Sequence, residues 1–163
     1  MKVAAAEGTG MDDVAGIFAR EFPALDGHAQ VGVAQGRVIS VDFPARPQDD
    51  ARPDHDLLDR VGAYLNGEPD DFRDVTVALT LPTDQRRVLE ALREVPYGET
   101  VTVGQLARMT AGLDDEAEAD LATVRDALRG NPTPILVGDH RVRDASGATP
   151  AEVAAVCRRV EGL

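Results

Sequence analysis

One stretch, Asn131-Pro132-Thr133-Pro134-Ile135-Leu136-Val137-Gly138-Asp139-His140-Arg141-Val142, constrains this chain more than any other. It opens on a turn signal, because proline fixes φ and removes a backbone donor. The short apolar run from Ile135 to Val137 then reads as a buried strand. The run ends where Asp139, His140 and Arg141 stand consecutively. A buried strand with three charged or titratable side chains at its tip is one way to present a site. A surface turn with solvated charges is the alternative.

With 163 residues, the chain has room for one domain or two small ones. Aromatic residues make up 4% and Trp is absent, so the cores must come from Val, Leu, Ile and Ala. No apolar run approaches the roughly 20 residues of a membrane span. Residues 1–7 are too short and too soon acidic for a signal peptide. Cys157 is the single cysteine and cannot form an internal disulfide. These features read as a cytoplasmic monomer with no membrane partner, no cofactor and no metal. The net charge is −12, and Lys2 is the only lysine. An acidic surface nearly free of lysine fits a halophilic protein from a salt-rich cytoplasm, although a high-GC genome also favours Arg over Lys. The charge argues against loose attraction to nucleic acid. A local basic patch can still bind DNA where salt screens the remaining field.

The first 80 residues read as mixed α and β. Met11, Val14, Ile17 and Phe18 share one face of a helix over residues 11–20. Residues 29–34 and 37–43, around Gln35-Gly36, read as a β-hairpin. The proline-bearing segment 44–53 reads as a loop. Asp54 then caps a helix carrying Leu57, Leu58, Val61 and Leu65, and residues 75–79 alternate like a strand. His28 and His55 read as surface residues.

The second half is mostly helical. Thr83 is a cap for a helix bearing Val88, Leu89, Leu92 and Val95. Thr102 and Gln105 have capping-box spacing, and Gly112 lies where that short helix breaks. The acidic run 114–120 reads as a solvated face or loop. Leu121, Val124, Ala127 and Leu128 form the next helix, with Arg125 and Arg129 on a face beside them. Thr149-Pro150-Ala151-Glu152 starts the last helix, with Thr149 as cap; this helix carries Cys157 as a buried small residue. Short helices joined by tight turns and followed by a strand fit a helix-turn-helix or winged-helix arrangement, and an ordinary helical subdomain fits the same spacing.

Several of these pieces together resemble the O6-alkylguanine-DNA alkyltransferase family. They are the Pro96-Tyr97-Gly98-Glu99-Thr100 turn, Leu106-Ala107, Arg129-Gly130-Asn131-Pro132, the 134–137 run and His140-Arg141-Val142, in family order from about residue 81 to 162. The N-terminal half is similar in outline only, through residues 38–43, Leu57-Leu58, Tyr64-Leu65-Asn66-Gly67 and Phe72. The resemblance implies an α+β protein with a ribonuclease-H-like α/β domain over residues 1–80 and a winged helix-turn-helix domain over residues 81–163. It also implies binding in the DNA minor groove, flipping of the damaged guanine, and irreversible transfer of its alkyl group to a cysteine just before the His-Arg-Val. That transfer needs a thiolate, a soft nucleophile whose pKa the surroundings lower.

This chain departs from that pattern. Asp139 stands at the cysteine position, and Gly138 replaces the usual proline. His140, Arg141, Asn131 and Glu161 match the family's supporting residues, so the relay persists without its nucleophile. The family's phosphate-rotating tyrosine falls near Val103 and its intercalating arginine near Ala122, and neither residue type is there. The glycine-rich wall of the alkyl pocket is reduced to Ser146-Gly147-Ala148.

Three readings follow. A non-catalytic alkyltransferase-like protein would bind double-stranded DNA, alkylated guanine included, through Arg125, Arg129, Arg141 and Thr102, with Arg143 extending the strip. A degenerate relative would serve as a protein-interaction module, its arginines paired with acids. An enzyme using Asp139 as acceptor or base would need a pocket beside Asp139 that admits a base. A structural reading of His140 has it bonding the last helix; Glu161 can equally be a surface residue at that helix's end.

Overall fold

The structure, a computed structural model, describes residues 15–163. Three antiparallel strands, β1 (Gly16–Phe22), β2 (Gly27–Ala34) and β3 (Arg37–Asp42), form one sheet in the order β1-β2-β3. The expected hairpin is β2-β3, with a register shift at Gly32/Val33. β1 corrects the helix expected over residues 11–20. Residues 11–14 lie outside the described residues, and 16–22 pair along their whole length with β2, from Gly16↔Val33 to Phe22↔Gly27. Ile17 and Phe18 satisfy a helical period, but the strand's ladder bonds and the breakers at Gly16, Pro23 and Gly27 decide for extension.

Five α-helices follow: α1 (Asp56–Leu65), α2 (Thr83–Leu92), α3 (Val103–Met109), α4 (Glu118–Arg129) and α5 (Ala151–Glu161). The chain is therefore mixed α+β. α1 is capped by His55 and not by Asp54: the imidazole Nδ1 accepts the Leu57 amide at 3.0 Å. His55 is buried, with its ring 4.6 Å from that of Phe18, which corrects its placement on the surface. Burial lowers its pKa, against the opposing pull of Asp56 and Asp59, and so favours the neutral ring that can serve as an acceptor. Thr83 begins α2 rather than capping it, and Pro150 rather than Thr149 stands at the cap of α5. α3 has the full capping box, Thr102 Oγ1 accepting from Gln105 N and Gln105 Oε1 from Thr102 N.

Residues 75–79 make a single bridge, Val38 to Val77, in place of a full strand. The guanidinium of Arg93 holds this connection, donating to the carbonyls of Phe72 and Val75 at 2.7 and 2.8 Å.

The apolar residues form two clusters. In the first, Phe18, Val31, Leu57, Leu58, Tyr64 and Phe72 pack with Val153 and Cys157 of α5. In the second, Val88, Leu89, Leu92, Leu106, Val124 and Leu128 join α2, α3 and α4. Burying each such side chain contributes about 1.5–3 kcal/mol. The 131–142 stretch serves both clusters: Ile135 and Leu136 enter the first, Val137 and Val142 the second.

That stretch is not the strand expected from its apolar run. Ile135 has a φ of 74°, and Pro134 bridges to Val137 within the run itself. The cause is local. Pro132 and Pro134 have no N–H to give a ladder, and the Val137 amide turns back to Thr133 O at 3.0 Å. The stretch is a folded-over turn that ends in a short 3-10 helix, Asp139–Arg141.

Candidate functional site

Glu161, near the C-terminus of α5, is the centre of the site, and it is buried rather than lying on the surface. Its Oε2 accepts from Tyr64 Oη at 2.5 Å and from Arg141 Nη2 at 3.0 Å, and lies 2.6 Å from His140 Nε2. Oε1 accepts from Arg141 Nε and from the Gly98 amide, both at 2.9 Å. The Pro96–Thr100 turn, the 139–141 helix, α1 and α5 therefore converge on one carboxylate. Burial pushes that carboxyl up, but the hydrogen bonds from His140, Arg141, Tyr64 and Gly98 outweigh it and hold the group well below the usual carboxylate range. Burial raises the Tyr64 hydroxyl far above its ordinary value, so it remains a donor.

Asn131 fixes the other side. Its Nδ2 donates to Val137 O at 2.9 Å and to Asp139 Oδ2 at 3.0 Å, and its Oδ1 accepts the Thr133 amide at 3.0 Å. Asp139 Oδ2 also accepts the Thr149 amide at 3.2 Å. Asp139 is 2% exposed and lines a cavity of about 300 Å³ with the 146–149 turn and α5. Asn131 with Asp139, and His140 with Glu161, thus form two buried hydrogen-bonded groups that meet at the 139–141 helix.

Gly147 lies across Asp139. A Cβ there would come within 2.3 Å of Asp139 Cγ and 2.6 Å of its Cβ. Gly147→Ala is therefore expected to cost about 1–3 kcal/mol through overpacking, seen as a lower urea midpoint at unchanged slope. A neutral result would mean that the turn is free to move off Asp139.

The four DNA-binding candidates do not form one exposed strip. Arg141 is 3% exposed and committed to Glu161, so the structure removes it from that surface. The hydroxyl of Thr102 is engaged in its cap. Arg125 lies 4.0 Å from Glu118, Arg129 pairs with Asp126, and Arg143 donates to Thr100 Oγ1 at 3.2 Å. Cys157 is fully buried, and burial pushes its thiol up to about 12. The sequence reading missed Tyr64 as a site residue. It stands out only within the Tyr64-Leu65-Asn66-Gly67 segment of the resemblance, and only the third dimension places its hydroxyl on Glu161.

Residues 83–160 match the family model described as 6-O-methylguanine DNA methyltransferase, DNA binding domain. A methylated-DNA–protein-cysteine methyltransferase of Methanopyrus kandleri is 37% identical over 101 residues, covering 62% of this chain and 72% of that protein. The chain belongs to the methylated-DNA–protein-cysteine methyltransferase family. A Thermus thermophilus relative of that family's stretch, named DNA base-flipping protein, is 37% identical over 106 residues, 64% of this chain and 67% of its own. The chain spans about half the length of the Mycolicibacterium paratuberculosis methyltransferase it matches, at 37% identity over 90 residues (55% and 51% of the two chains). Among solved structures, the Mycobacterium tuberculosis O6-methylguanine methyltransferase aligns with a TM-score of 0.66 at 23% identity, over 90% of this chain and 93% of that one. The same enzyme in complex with DNA aligns at 0.65 and 21%, over 90% and 92%. These structural likenesses establish that the methyltransferase-family fold extends through the N-terminal half.

Proposed function

We propose that this chain is a non-catalytic, alkyltransferase-like member of its family that binds double-stranded DNA, alkylated guanine included, in DNA repair. On this reading residues 1–80 form the ribonuclease-H-like domain and 81–163 the winged helix-turn-helix DNA-binding domain of a cytoplasmic monomer. One observation carries the proposal: the only thiol in the chain is sealed in the core and held protonated at neutral pH. Alkyl transfer to cysteine requires a thiolate that meets its substrate, and Cys157 supplies neither. Asp139, at the residue before His140, offers a carboxylate, which is a weak nucleophile toward saturated carbon.

The relative named DNA base-flipping protein supports a role in DNA recognition. The acidic partners of Arg125 and Arg129 do not forbid it. Exposed ion pairs contribute only about 0–1 kcal/mol, so phosphates can displace them. The same pairs favour a second reading, a protein-interaction module that has lost DNA binding. Incubation with duplex DNA bearing O6-methylguanine, followed by intact-protein mass spectrometry, tests the absence of transfer. The expected spectrum shows the unmodified mass after prolonged incubation; a methyl adduct mapped to any residue would overturn the non-catalytic reading.

A further inference from the structure

On the DNA-binding reading, α3 and α4 are the paired helices of a helix-turn-helix, which a turn of about three or four residues ordinarily joins. Here α3 ends at Met109 and α4 begins at Glu118, so residues 110–117 lie between them. This longer connection is tied down. Thr110 Oγ1 donates to Leu106 O at 2.8 Å, and Leu113 packs against the second apolar cluster. The Asp114 amide donates to Asp120 Oδ2 at 2.8 Å, and the Glu116 amide to Asp114 Oδ1 at 2.9 Å. Asp115 and Glu118 hold arginines instead: Asp115 Oδ2 accepts from Arg108 Nη1 at 3.3 Å, and Glu118 Oε1 lies 4.0 Å from Arg125 Nη1. Arg129 pairs with Asp126. Each arginine of the helix pair thus has a carboxylate where a DNA phosphate would sit. Over residues 103–130 three arginines stand against six acids, so the element that would meet the duplex repels it.

We propose that the 110–118 segment is an autoinhibitory phosphate mimic, in which Asp115 and Glu118 occupy Arg108 and Arg125 and hold the duplex off at low ionic strength. The proposal rests on the DNA-binding reading for its target; the gating is its own claim. Both pairs are exposed and individually weak, so phosphates displace them at a cost in affinity and not absolutely. Repulsion between the segment and the duplex adds to that cost. It reaches about 10 Å at 0.1 M salt and only about 3 Å at 1 M. The block therefore fades as salt rises, opposite in sign to the counterion release that makes ordinary DNA binding weaken with salt. The two trends offset each other and give the wild-type chain a shallow salt dependence.

The test is fluorescence anisotropy of the full chain with an unmodified duplex over a KCl series, comparing wild type with Asp115→Asn/Glu118→Gln. Asp114 and Asp120, which hold the segment's amides, stay in place. The double variant should bind about tenfold more tightly at about 50 mM KCl, with the difference gone near 1 M. Its plot of log affinity against log salt should be steeper by about two, one for each arginine released to a phosphate. Adding Arg108→Ala should remove about one of those two. Glu21→Gln/Glu68→Gln takes the same charge from exposed positions on β1 and after α1, and should leave affinity and slope unchanged. Duplex binding with equal affinity and slope for wild type and Asp115→Asn/Glu118→Gln would overturn the gating and leave the DNA-binding reading standing. An equal gain from Glu21→Gln/Glu68→Gln would overturn it as well, because net charge would then suffice. Binding by the double variant where the wild type shows none upholds the gating. No duplex binding by any of these chains at any salt sinks both the gating and the DNA-binding reading.

Discussion

Glu161→Gln is expected to destabilise the protein by about 3–5 kcal/mol, the scale for breaking a buried ion pair and leaving one charge uncompensated. The glutamine fits the space, but it replaces an acceptor by an NH2 among donors. Arg141, Tyr64 and the Gly98 amide all donate to this carboxylate, and His140 stands 2.6 Å away. A folded protein of this size has only about 5–15 kcal/mol in hand. The internal control is Asp59→Asn, which breaks the ion pair with Arg20 at 2.7 Å, shorter than the 2.9 Å of Arg141 to Glu161 but on the surface. Its cost should stay below about 1 kcal/mol, because water and salt screen an exposed pair. Urea midpoints for the two variants compare burial with distance directly. Equal losses would mean that Glu161 is not the shared acceptor described above.

The same carboxylate sets an acid limit. A folded-state pKa held below the ordinary value of 4.5 means that the unfolded chain binds protons more readily than the native one. The stability Glu161 supplies is therefore fully present above about pH 4.5 and is lost as pH falls toward the depressed folded value. Glu161→Gln should flatten the acid side of the stability profile.

Asn131→Ala is the second large effect, expected to cost about 3 kcal/mol. One side chain serves the Val137 carbonyl, the Asp139 carboxylate and the Thr133 amide, all in buried surroundings. Each buried polar group stranded by its removal costs about 1–3 kcal/mol, although Asp139 retains the Thr149 amide. The comparison is Thr102→Ala, which removes one cap bond and should cost about 1 kcal/mol. Beyond stability, Asn131→Ala should raise amide exchange at Thr133 and Val137, the two ends of the turn. A loss under 1 kcal/mol with protection unchanged would show that the prolines alone hold the turn.

Much of the site could be read from the sequence because its residues lie in short local patterns. Thr102 and Gln105 announce a capping box three residues apart, and the structure forms it. The Leu121, Val124, Ala127 and Leu128 period gives α4 correctly, and Cys157 is buried as its helical position implied. The failures have physical causes. Ile17 and Phe18 fit a helical period, but a strand can take them when a partner lies alongside. Ile135 to Val137 is apolar enough for a strand; a side chain, that of Asn131, claims the carbonyl that a ladder would use. Arg141 reads as a surface cation until Glu161, 20 residues away in sequence, is seen to hold it. Such long-range pairing leaves no local signal, and for that reason the burial of Arg141 could not be resolved in advance.

DNA binding itself is the central claim, and fluorescence anisotropy tests it most directly. Duplexes with and without O6-methylguanine would be titrated with the full chain over a salt series extending to molar KCl, with folding verified at each salt. The account predicts saturable, salt-dependent binding without covalent transfer, weakened by Arg125→Ala and Arg129→Ala. Absence of binding at every salt where the protein is folded would contradict it and leave the protein-interaction reading in its place.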